Sequence, residues 1–507
     1  MPIYKALVRH SQGMPRSFHV PGHQYGRVWQ KKWLEGLGAA EFESMMAMDA
    51  TELEGLDDLH HPQGIIAEAQ AAAAQLFGVD HTYFLVGGST AGNLALILAH
   101  CEPGELLIVQ RNVHKSILNG LTLAGASAVF LDPELDPRSG LAIGPGIRSL
   151  EAALCKYPQA KAVLLSSPNY YGLGCDLRPY ADAAHRAGMP LLVDEAHGAH
   201  YGFHPAIPAS ALAAGADAVV QSAHKTLPVL TMGAWLHVQG TRVPRQALAR
   251  ALALLQSSSP SYPILASLDV ARAMLAEHGA ALFEPAVQLA RRLRDHIGHA
   301  LPQYELVEED GLLEGQRLDP LRLTIAPRRG SGYALLRQLR EHGCWAEMAD
   351  ARHVVLLVGI GTTAGDVDAL LESLCRIAFL EPAGGESAEA QIDAAGLMRR
   401  HGEEIAEPVS FAPIAAVSAN TTESVAIGAA VGRRAAHMLV PYPPGVPLVY
   451  AGERLTASIA SVLQRMLALG GTVHGLVKID GEWRVPVTSC AHNACKSNGD
   501  PRTGLIK

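Results

Sequence analysis

The sequence lacks an uninterrupted apolar run of about 18 residues or more, which a membrane-spanning helix requires. The nearest stretch, residues 83–101, is interrupted by glycine, serine, threonine and asparagine. The N-terminus also lacks the continuous apolar segment of a secretory signal peptide. These absences predict a protein without a transmembrane helix or an export signal, and the expected location is the cytoplasm.

Cysteine and charge are scarce as well. The chain of 507 residues has seven cysteines, an odd number spread along its length, so no disulfide framework is expected. Charged residues make up 18% of the chain, below the roughly 25% typical of soluble domains, which indicates extensive burial. With 49% hydrophobic residues and a net charge of -8, disorder is excluded as the main state. The mild acidity gives no reason to expect nucleic acid or a membrane as a partner.

From about residue 50 onwards, short apolar runs alternate with helical segments. Buried strands are predicted at 82–86, 106–109, 128–131, 162–165, 191–193 and 218–220. Helices are predicted at 65–78, 89–100, 146–157 and 180–187, the second with Ser89 or Thr90 as its N-cap. This alternation predicts a mainly parallel α/β sheet that is covered on both faces. Ligands of such sheets bind beyond the carboxyl ends of the strands.

The composition shifts along the chain predict several units. They are an irregular N-terminal segment at 1–45, a large domain at 46–270, a small α/β domain at 271–380, a linker at 381–391 and a C-terminal domain at 392–507. A long helical stretch at 265–300 is expected to join the large domain to the small one. The small domain is expected to contain strands at 321–325 and 354–358.

Three groups of residues carry chemistry. Gly88, Ser89 and Thr90 lie between a strand and a helix, where backbone amides and hydroxyls either bind a phosphate or form an ordinary cap. Asp194 ends a buried strand and is either a helix cap or a site residue. Lys225 follows another strand beside His224, and partial burial there would lower its pKa and free a nucleophilic amine. Pyridoxal phosphate (PLP) needs this set: an anion site, an acid for the pyridine nitrogen and a lysine for the aldehyde.

Nine stretches match one family in the same order over nearly the whole chain. They are FHVPGH at 18–23, TELEGLDDLHHPQG at 51–64, GGSTAGN at 87–93, RNVHKS at 111–116, SSPNYYG at 166–172, VDEAHGAH at 193–200, SAHKTL at 222–227, SSSPSYPILASLD at 257–269 and VPYPPGVPLVYAGE at 440–453. The chain resembles the Orn/Lys/Arg decarboxylases, PLP-dependent enzymes of the aspartate-aminotransferase fold (fold type I). The length is similar to that of the short branch, which lacks an N-terminal wing domain. The residues at Gln24-Tyr25, His61 and Gln63 depart from the family pattern and leave the substrate open.

The resemblance implies a role for individual residues. Lys225 would form the covalent link to the cofactor, Asp194 would pair with the pyridinium nitrogen, and His114 would stack on the ring. The residues implied at the phosphate are Gly88, Ser89, Thr90, Ser222 and His224. His197 would lie near the ring hydroxyl or the substrate. Ser258, or Ser259 beside it, would reach the cofactor of a partner subunit, which implies a shared active site and at least a homodimer.

The implied reaction is decarboxylation of a basic amino acid, arginine first and then lysine or ornithine. The products would be agmatine or a diamine, with carbon dioxide, in polyamine metabolism. Released Lys225 or a nearby histidine would return the proton to Cα. Two alternatives remain: another enzyme of the same fold, such as an aminotransferase or a carbon–carbon lyase, and a non-catalytic regulatory protein. An aminotransferase would clamp the substrate carboxylate with an arginine, for which Arg322 and Arg352 are the candidates.

Several histidines have no cofactor role implied by the resemblance. Histidine is abundant, with 23 residues against nine phenylalanines and five tryptophans. His19, His23, His60 and His61 are expected to shape the mouth of the site or to hydrogen-bond to loops.

Metal binding is a weaker interpretation of the remaining clusters. His197, His200 and His204 resemble metal ligands, but no metal is predicted, because this decarboxylation needs none. The group Cys490, His492 and Cys495 lacks a fourth ligand, and this tail is expected to be structural or to lie on the surface. Glu347 and Asp350 are expected to form surface pairs rather than to cap a cationic substrate.

Overall fold

The computed structural model describes residues 1–13, 16–17, 19–27, 45–380, 407–411 and 422–488. The predicted linker at 381–391 and the tail with Cys490 and Cys495 lie outside the described residues. None of the helices in the described part has the length and apolarity that a membrane span requires.

The helices of the described part flank the sheets. They are α1 Pro2–Gln12, α2 Ile65–Phe77, α3 Gly88–His100, α4 Lys115–Ala124, α5 Ile147–Lys156, α6 Arg178–Arg186, α7 Arg245–Leu255, α8 Tyr262–His278, α9 Glu284–Ala300, α10 Gly332–Glu341, α11 Ala364–Leu380 and α12 Ala457–Ala468. The predicted helix at 65–78 is confirmed, and Gly78 ends it in the left-handed conformation.

The strands lie where the apolar runs predict them, with additional short ones. They are β1 His81–Leu85, β2 Leu106–Gln110, β3 Ser127–Leu131, β4 Pro133–Leu135, β5 Ala142–Pro145, β6 Val163–Ser166, β7 Leu173–Cys175, β8 Leu191–Asp194, β9 Ala218–Gln221, β10 Ala234–Val238, β11 Tyr304–Leu306, β12 Gln316–Leu318, β13 Arg322–Pro327, β14 Met348–Ala349, β15 Val354–Leu357, β16 Val409–Ser410, β17 Thr422–Ala426, β18 Val440–Pro441, β19 Val473–His474, β20 Val477–Ile479 and β21 Glu482–Thr488.

The central sheet has the strand order β1-β10-β9-β8-β6-β2-β3-β16. The pairs from β9 through β8, β6 and β2 to β3 are parallel. Strand β10 is antiparallel to both β1 and β9, and β16 is antiparallel to β3. The prediction of a mainly parallel sheet is therefore confirmed.

Both faces of this sheet are buried. Along β2, Leu107 and Val109 pack into the cluster under α3 and α4, whereas Leu106 and Ile108 pack into the cluster under α5 and α6. This alternation follows the period of two along a strand. In register, Ser166 of β6 pairs with Asp194 of β8, so the ends of neighbouring parallel strands meet at one edge.

A second sheet, β11-β13-β15-β14, is antiparallel and packs with α9, α10 and α11. The predicted helical stretch at 265–300 is two helices, α8 and α9, separated by a 3-10 turn at Gly279–Leu282. Helix α8 runs across position 270, and the division into domains there stays a prediction. Beyond residue 422, β17, β21 and β20 form a sheet with its own apolar cluster, which includes α12.

Two local predictions are wrong. The segment 1–45 was expected to be irregular, but residues 2–12 form α1, which buries Ile3, Ala6 and Leu7 on one helical face. The backbone N–H of Ile3 donates to the carboxylate of Asp269 at 3.0 Å, which fixes the start of the helix. At α3, the N-cap is Gly87 rather than a serine or threonine, and no side chain caps the helix.

Candidate active site

A cavity of about 470 Å³ lies at the carboxyl ends of the parallel strands. Three parts of the chain enclose it: the central sheet, the segment around β14 and β15, and the proline-rich segment after β18. Lys225, Asp194, His114, His197 and Ser89 all line it. The structure thus brings together residues that are more than a hundred positions apart in the sequence.

Lys225 ends a short 3-10 turn, Ala223–Lys225, which directly follows β9. Its Nζ lies 3.0 Å from Nε2 of His197 and 5.2 Å from the ring centre of Tyr170. Burial lowers the pKa of Lys225 to about 8, against the opposing effect of Asp194. About a tenth of the amine is therefore neutral, and so nucleophilic, at pH 7, far more than for an ordinary lysine.

His197 lies between two basic side chains, Arg322 and Lys225. Its Nδ1 is 2.9 Å from Nη2 of Arg322, and its Nε2 faces Lys225. Burial, followed by the charges of Lys225 and Arg322, holds the pKa of His197 well below its usual value. The imidazole is therefore neutral under ordinary conditions.

Asp194 is the last residue of β8 and is buried. The side-chain amide of Asn93 donates to its Oδ2 at 2.9 Å, and the N–H of Ala196 donates to its Oδ1 at 3.2 Å. Burial raises the pKa of this carboxyl group, while Lys225 and the bond from Asn93 oppose the rise. A buried carboxylate of this kind favours a cationic partner in the cavity.

A chain of hydrogen bonds joins His114 to Asp194. His114 caps α4, where its Nδ1 accepts from the backbone N–H of Ser116 at 3.2 Å and lies 2.9 Å from the Ser116 hydroxyl. The same hydroxyl accepts from Asn93 at 3.1 Å, and Asn93 in turn holds Asp194. Burial and the charge of Lys225 lower the pKa of His114 to about 4, so this ring is neutral too.

Sequence reasoning missed Asn93 and Ser116 as site residues, although both lie within matched stretches. The available signal was a polar residue on the buried face of an otherwise apolar helix. Asn93 lies on that face of α3 between Gly92 and Ala95.

The segment predicted to bind phosphate lies at the start of α3. The Ser222 hydroxyl donates to that of Ser89 at 2.8 Å, whereas Thr90 is exposed. The N–H of Gly88 donates to the carbonyl of Met232 at 2.8 Å, so that amide is engaged within the chain. Since no side chain caps α3, the amides of its first turn other than that of Gly88 remain available to an anion.

The segment after β18 forms one wall of the cavity through Pro441, Pro443, Pro444, Val446 and Leu448. The carbonyl of Gly445 accepts from the N–H of Lys115, beside His114, at 3.2 Å. This apolar wall excludes water from one side of His114.

Asp350 also lines the cavity, so the prediction that it forms a surface pair is wrong. Its carboxylate accepts from the Tyr171 hydroxyl at 2.6 Å and from the backbone N–H groups of Arg352 and His353. Burial alone would raise the pKa of Asp350, but His353 and these hydrogen bonds hold it at about 2. The reason is that the turn before β15 directs this carboxylate inward. Glu347 is exposed and does not line the cavity.

Several predicted residues lie elsewhere in the chain. Ser258 is exposed on the loop after α7 and does not line the cavity, nor do His19, His23, His60, His61 and His224. His60 hydrogen-bonds to the carbonyl of Ser257 at 3.0 Å, in agreement with a loop contact. His224 Nδ1 lies 3.0 Å from the carbonyl of Gly233.

The histidines that resembled a metal cluster have separate carboxylate or cationic neighbours. His200 lies 3.1 Å from Asp319, His204 lies 2.8 Å from Glu284, and His197 contacts Arg322 and Lys225. Among residues 1–380 and 407–488, as far as they are described, no group of three potential ligands could hold a metal ion.

The two arginines considered for a carboxylate clamp are engaged by protein groups. Arg322 does not line the cavity and donates to His197 and to the carbonyl of Tyr170. Arg352 lines the cavity, but its Nη atoms donate to the carbonyl of Ser139 at 3.1 Å and to Glu305 at 3.2 Å.

Comparisons with known proteins show which sequences and folds the chain is similar to. The family model described as "Orn/Lys/Arg decarboxylase, major domain" matches residues 1–310, and "Orn/Lys/Arg decarboxylase, C-terminal domain" matches residues 402–476. The protein YaaO of Bacillus subtilis is 39% identical over 486 residues, which cover 94% of this chain and 96% of YaaO. The arginine decarboxylase of Halalkalibacterium halodurans is 35% identical over 487 residues, 94% of this chain and 95% of that protein. The solved structure of Francisella novicida lysine decarboxylase LdcF has a TM-score of 0.82 at 20% identity, over 96% of this chain and 81% of that one.

Proposed function

The chain belongs to the Orn/Lys/Arg decarboxylase family, and from that premise we propose that it removes the α-carboxylate group of a basic amino acid. The predictions of the family, of an amino-acid decarboxylase and of fold type I are confirmed. Arginine is the first candidate substrate, followed by lysine and ornithine. The products would be agmatine or a diamine, with carbon dioxide, which would place the reaction in polyamine metabolism.

The observation that carries the proposal is that Lys225 and Asp194 line one cavity, together with His114. Lys225 offers an amine with a pKa of about 8, and Asp194 offers a buried carboxylate that forms no salt bridge with any residue that the structure describes. A retained lysine and acid in this arrangement argue against a non-catalytic regulatory protein. The arginine decarboxylase from Halalkalibacterium halodurans, similar over nearly its whole length, supports arginine as the first candidate.

The residues present fit PLP as the cofactor. The uncapped start of α3, with Ser89, Ser222 and Thr90, suits the phosphate, and Asp194 suits the pyridine nitrogen. When bound, PLP supplies a pyridinium ring that accepts the electron pair left on Cα as carbon dioxide departs. Asp194, ionised and held by Asn93, keeps a proton on the ring nitrogen. His114 offers the flat face of a neutral ring that is fixed by Ser116.

The side chains around Lys225 then control the proton that returns to Cα. Lys225, released from the cofactor, and His197, which lies 3.0 Å from it, are the two groups that can hold that proton. The apolar wall around Pro443 and Pro444 keeps water away from the reacting carbon. Neither Arg322 nor Arg352 has a free Nη pair facing the cavity, so no observation favours an aminotransferase.

We also propose that the enzyme is at least a homodimer with shared active sites. Ser258 is exposed, and His60 contacts the loop that carries it through the carbonyl of the neighbouring Ser257; neither residue lines the cavity of its own chain. Their place in matched stretches supports a role at the cofactor of a partner subunit.

The proposal is tested by incubating the purified protein and PLP with arginine, lysine and ornithine separately. Released carbon dioxide and the amine product are measured for each substrate. We expect release from at least one of them and none from Lys225→Ala. The proposal fails if no basic amino acid is decarboxylated by protein whose near-visible absorbance shows bound PLP.

A further inference from the structure

Arg322 is a buried cation that the reaction itself does not use. It is the first residue of β13, is 1% exposed and lies outside the cavity wall. Its Nη1 donates to the carbonyl of Tyr170 at 3.2 Å, and its Nη2 lies 2.9 Å from Nδ1 of His197. A buried guanidinium directed at an imidazole restricts which of the two ring nitrogens can carry the proton.

The restriction concerns the position of the imidazole proton. A guanidinium only donates hydrogen bonds, so Nδ1 of His197 must present its lone pair to Arg322. A neutral imidazole has one N–H, which must then be on Nε2. This Nε2–H points at Nζ of Lys225, 3.0 Å away. An amine nitrogen accepts such a bond only when it is uncharged.

We propose that Arg322 is a positioning residue that fixes the Nε2–H form of His197 and, through it, favours the uncharged, nucleophilic form of Lys225. The inference deepens the proposed function, because the amine it prepares is the one that would react with the cofactor aldehyde. Arg322 touches neither the cavity nor the reacting atoms and acts through His197.

The surroundings keep Arg322 in this position. The N–H of Arg322 donates to the carbonyl of Asp319 at 3.1 Å, and the N–H of Asp319 donates to that of Gly172 at 2.8 Å. Asp319 is fully buried, which alone would raise its pKa, but the neighbouring His200 and Arg322 lower it below its usual value. Asp319 therefore provides a counter-charge near Arg322 within the protein.

Other charged or titratable groups also face the pair of Lys225 and His197. They are Asp194, Glu347, His114 and His224. Asp194 and Glu347 favour the ammonium form of Lys225, whereas burial and Arg322 oppose it. Without the donor at Nδ1, His197 could carry its proton there, and its Nε2 would accept from a charged lysine. Loss of Arg322 therefore removes a nearby positive charge and also frees His197 to accept from Lys225. Both effects raise the pKa of Lys225.

The imidazole proton can be located directly in the native, full-length protein without PLP. Neutron diffraction on crystals of the exchanged protein, or 15N NMR with labelled histidine and His197→Asn for assignment, reports which nitrogen is protonated. We expect the proton on Nε2. A proton on Nδ1, or on both nitrogens, at pH 9, where Lys225 is mostly uncharged, would overturn the proposal.

The role of Arg322 is tested by the reactivity of Lys225 toward acetic anhydride as a function of pH, followed by peptide mass spectrometry. We expect a midpoint near pH 8 in the native protein and a rise in Arg322→Met that slows acylation at pH 7 by about tenfold. Arg322→Lys, which restores a charged donor, should recover most of that rate. Arg352→Met, which removes an arginine from the cavity wall, serves as the matched control and should leave the midpoint unchanged.

Equal midpoints in the native protein and in a folded Arg322→Met would overturn the proposal. A raised KM for the amino acid in Arg322→Lys, with the midpoint unchanged, would also overturn it and would assign Arg322 to the substrate carboxylate. The location of the imidazole proton and the acylation midpoint of Lys225 are both measured without turnover. They therefore test the role of Arg322 even if the protein decarboxylates none of the amino acids. If Arg322→Met does not fold, the position of the proton in the native protein decides.

Discussion

Gly445 lies against the imidazole of His114. A β-carbon added to Gly445 would be 3.3 Å from Cδ2 and 3.4 Å from Nε2 of that ring. Gly445 also anchors the backbone beside His114 through its carbonyl and the N–H of Lys115. The C-terminal unit therefore sets how far His114 can move from the cavity, and this makes it part of the active site rather than an appendage.

Gly445→Ala should lower kcat/KM by roughly tenfold, because the new methyl group displaces the ring that packs on the cofactor. Gly452→Ala is the matched control. Gly452 lies in the same unit with nearly the same positive φ, 83° against 85°, and has open space around it. Both variants lose about 1 kcal/mol to backbone strain, so thermal unfolding should be similar for the two. An equal loss of kcat/KM in both would show that the contact with His114 is unimportant.

Asn93→Leu should move the acid limb of the pH–activity profile to higher pH. The Asn93 amide stabilises the charged form of Asp194, whose pKa is already raised by burial. Removal of this bond raises that pKa further, so the carboxylate is protonated, and activity is lost, at a higher pH than in the native enzyme. A hydrogen bond to a charged group is worth about 1.5–3 kcal/mol, which corresponds to a shift of about 1–2 pH units.

The control for that shift is Thr82→Val. Thr82 is equally buried in the central sheet and hydrogen-bonds to His237 at 2.9 Å, away from the cavity. Its replacement should lower the free energy of unfolding and leave the acid limb unchanged. If the pH–activity profile of Asn93→Leu coincides with that of the native enzyme, Asn93 does not influence the pKa of Asp194.

The fold was predictable because its strands are continuous apolar runs. Such runs arise where a parallel strand is buried on both faces, as β2 is through Leu107 and Ile108. Helix α1 was not predictable in the same way, since only three buried residues mark it and its first turn depends on distant Asp269.

The site was partly predictable for a related reason. Asp194 and Lys225 each follow an apolar run, and parallel strands bring such positions to one edge. Asp350 was interpreted as a surface residue because its inward direction depends on a turn and on bonds from Tyr171 and His353. Arg322 was considered a substrate clamp, and only the three-dimensional packing reveals that it contacts His197.

Arg111→Met should lower the free energy of unfolding by about 3–5 kcal/mol, because it removes the guanidinium that pairs with the partly buried carboxylate of Glu453. Arg111 is 3% exposed, donates to Glu453 at 2.8 Å and lies 4.3 Å from the ring centre of Tyr450, so it joins the central sheet to the C-terminal unit. Urea unfolding measures the change.

Arg245→Met is the control for this loss. Arg245 forms a 2.7 Å pair with Asp80, but the two side chains are 43% and 53% exposed. Such a pair contributes about 1 kcal/mol or less. If the two variants lose similar free energy, the contact through Arg111 does not hold the C-terminal unit in place.

Mixtures of two inactive variants should regain activity if the sites are shared between subunits. Lys225→Ala removes the reactive amine, and Ser258→Arg places a large charged side chain where a small hydroxyl is expected to reach the partner's cofactor. In a mixed dimer with two-fold symmetry broken only by these changes, one site combines both substitutions and the other has neither. Random re-association of subunits would then restore about a quarter of the native activity.

The measurement is kcat per subunit after the separately purified variants are dissociated, mixed and re-associated, with each variant alone as its control. Activity of Ser258→Arg alone close to native, or no recovery in verified mixed dimers, would mean that each chain completes its own site and that the exposed Ser258 loop has another purpose.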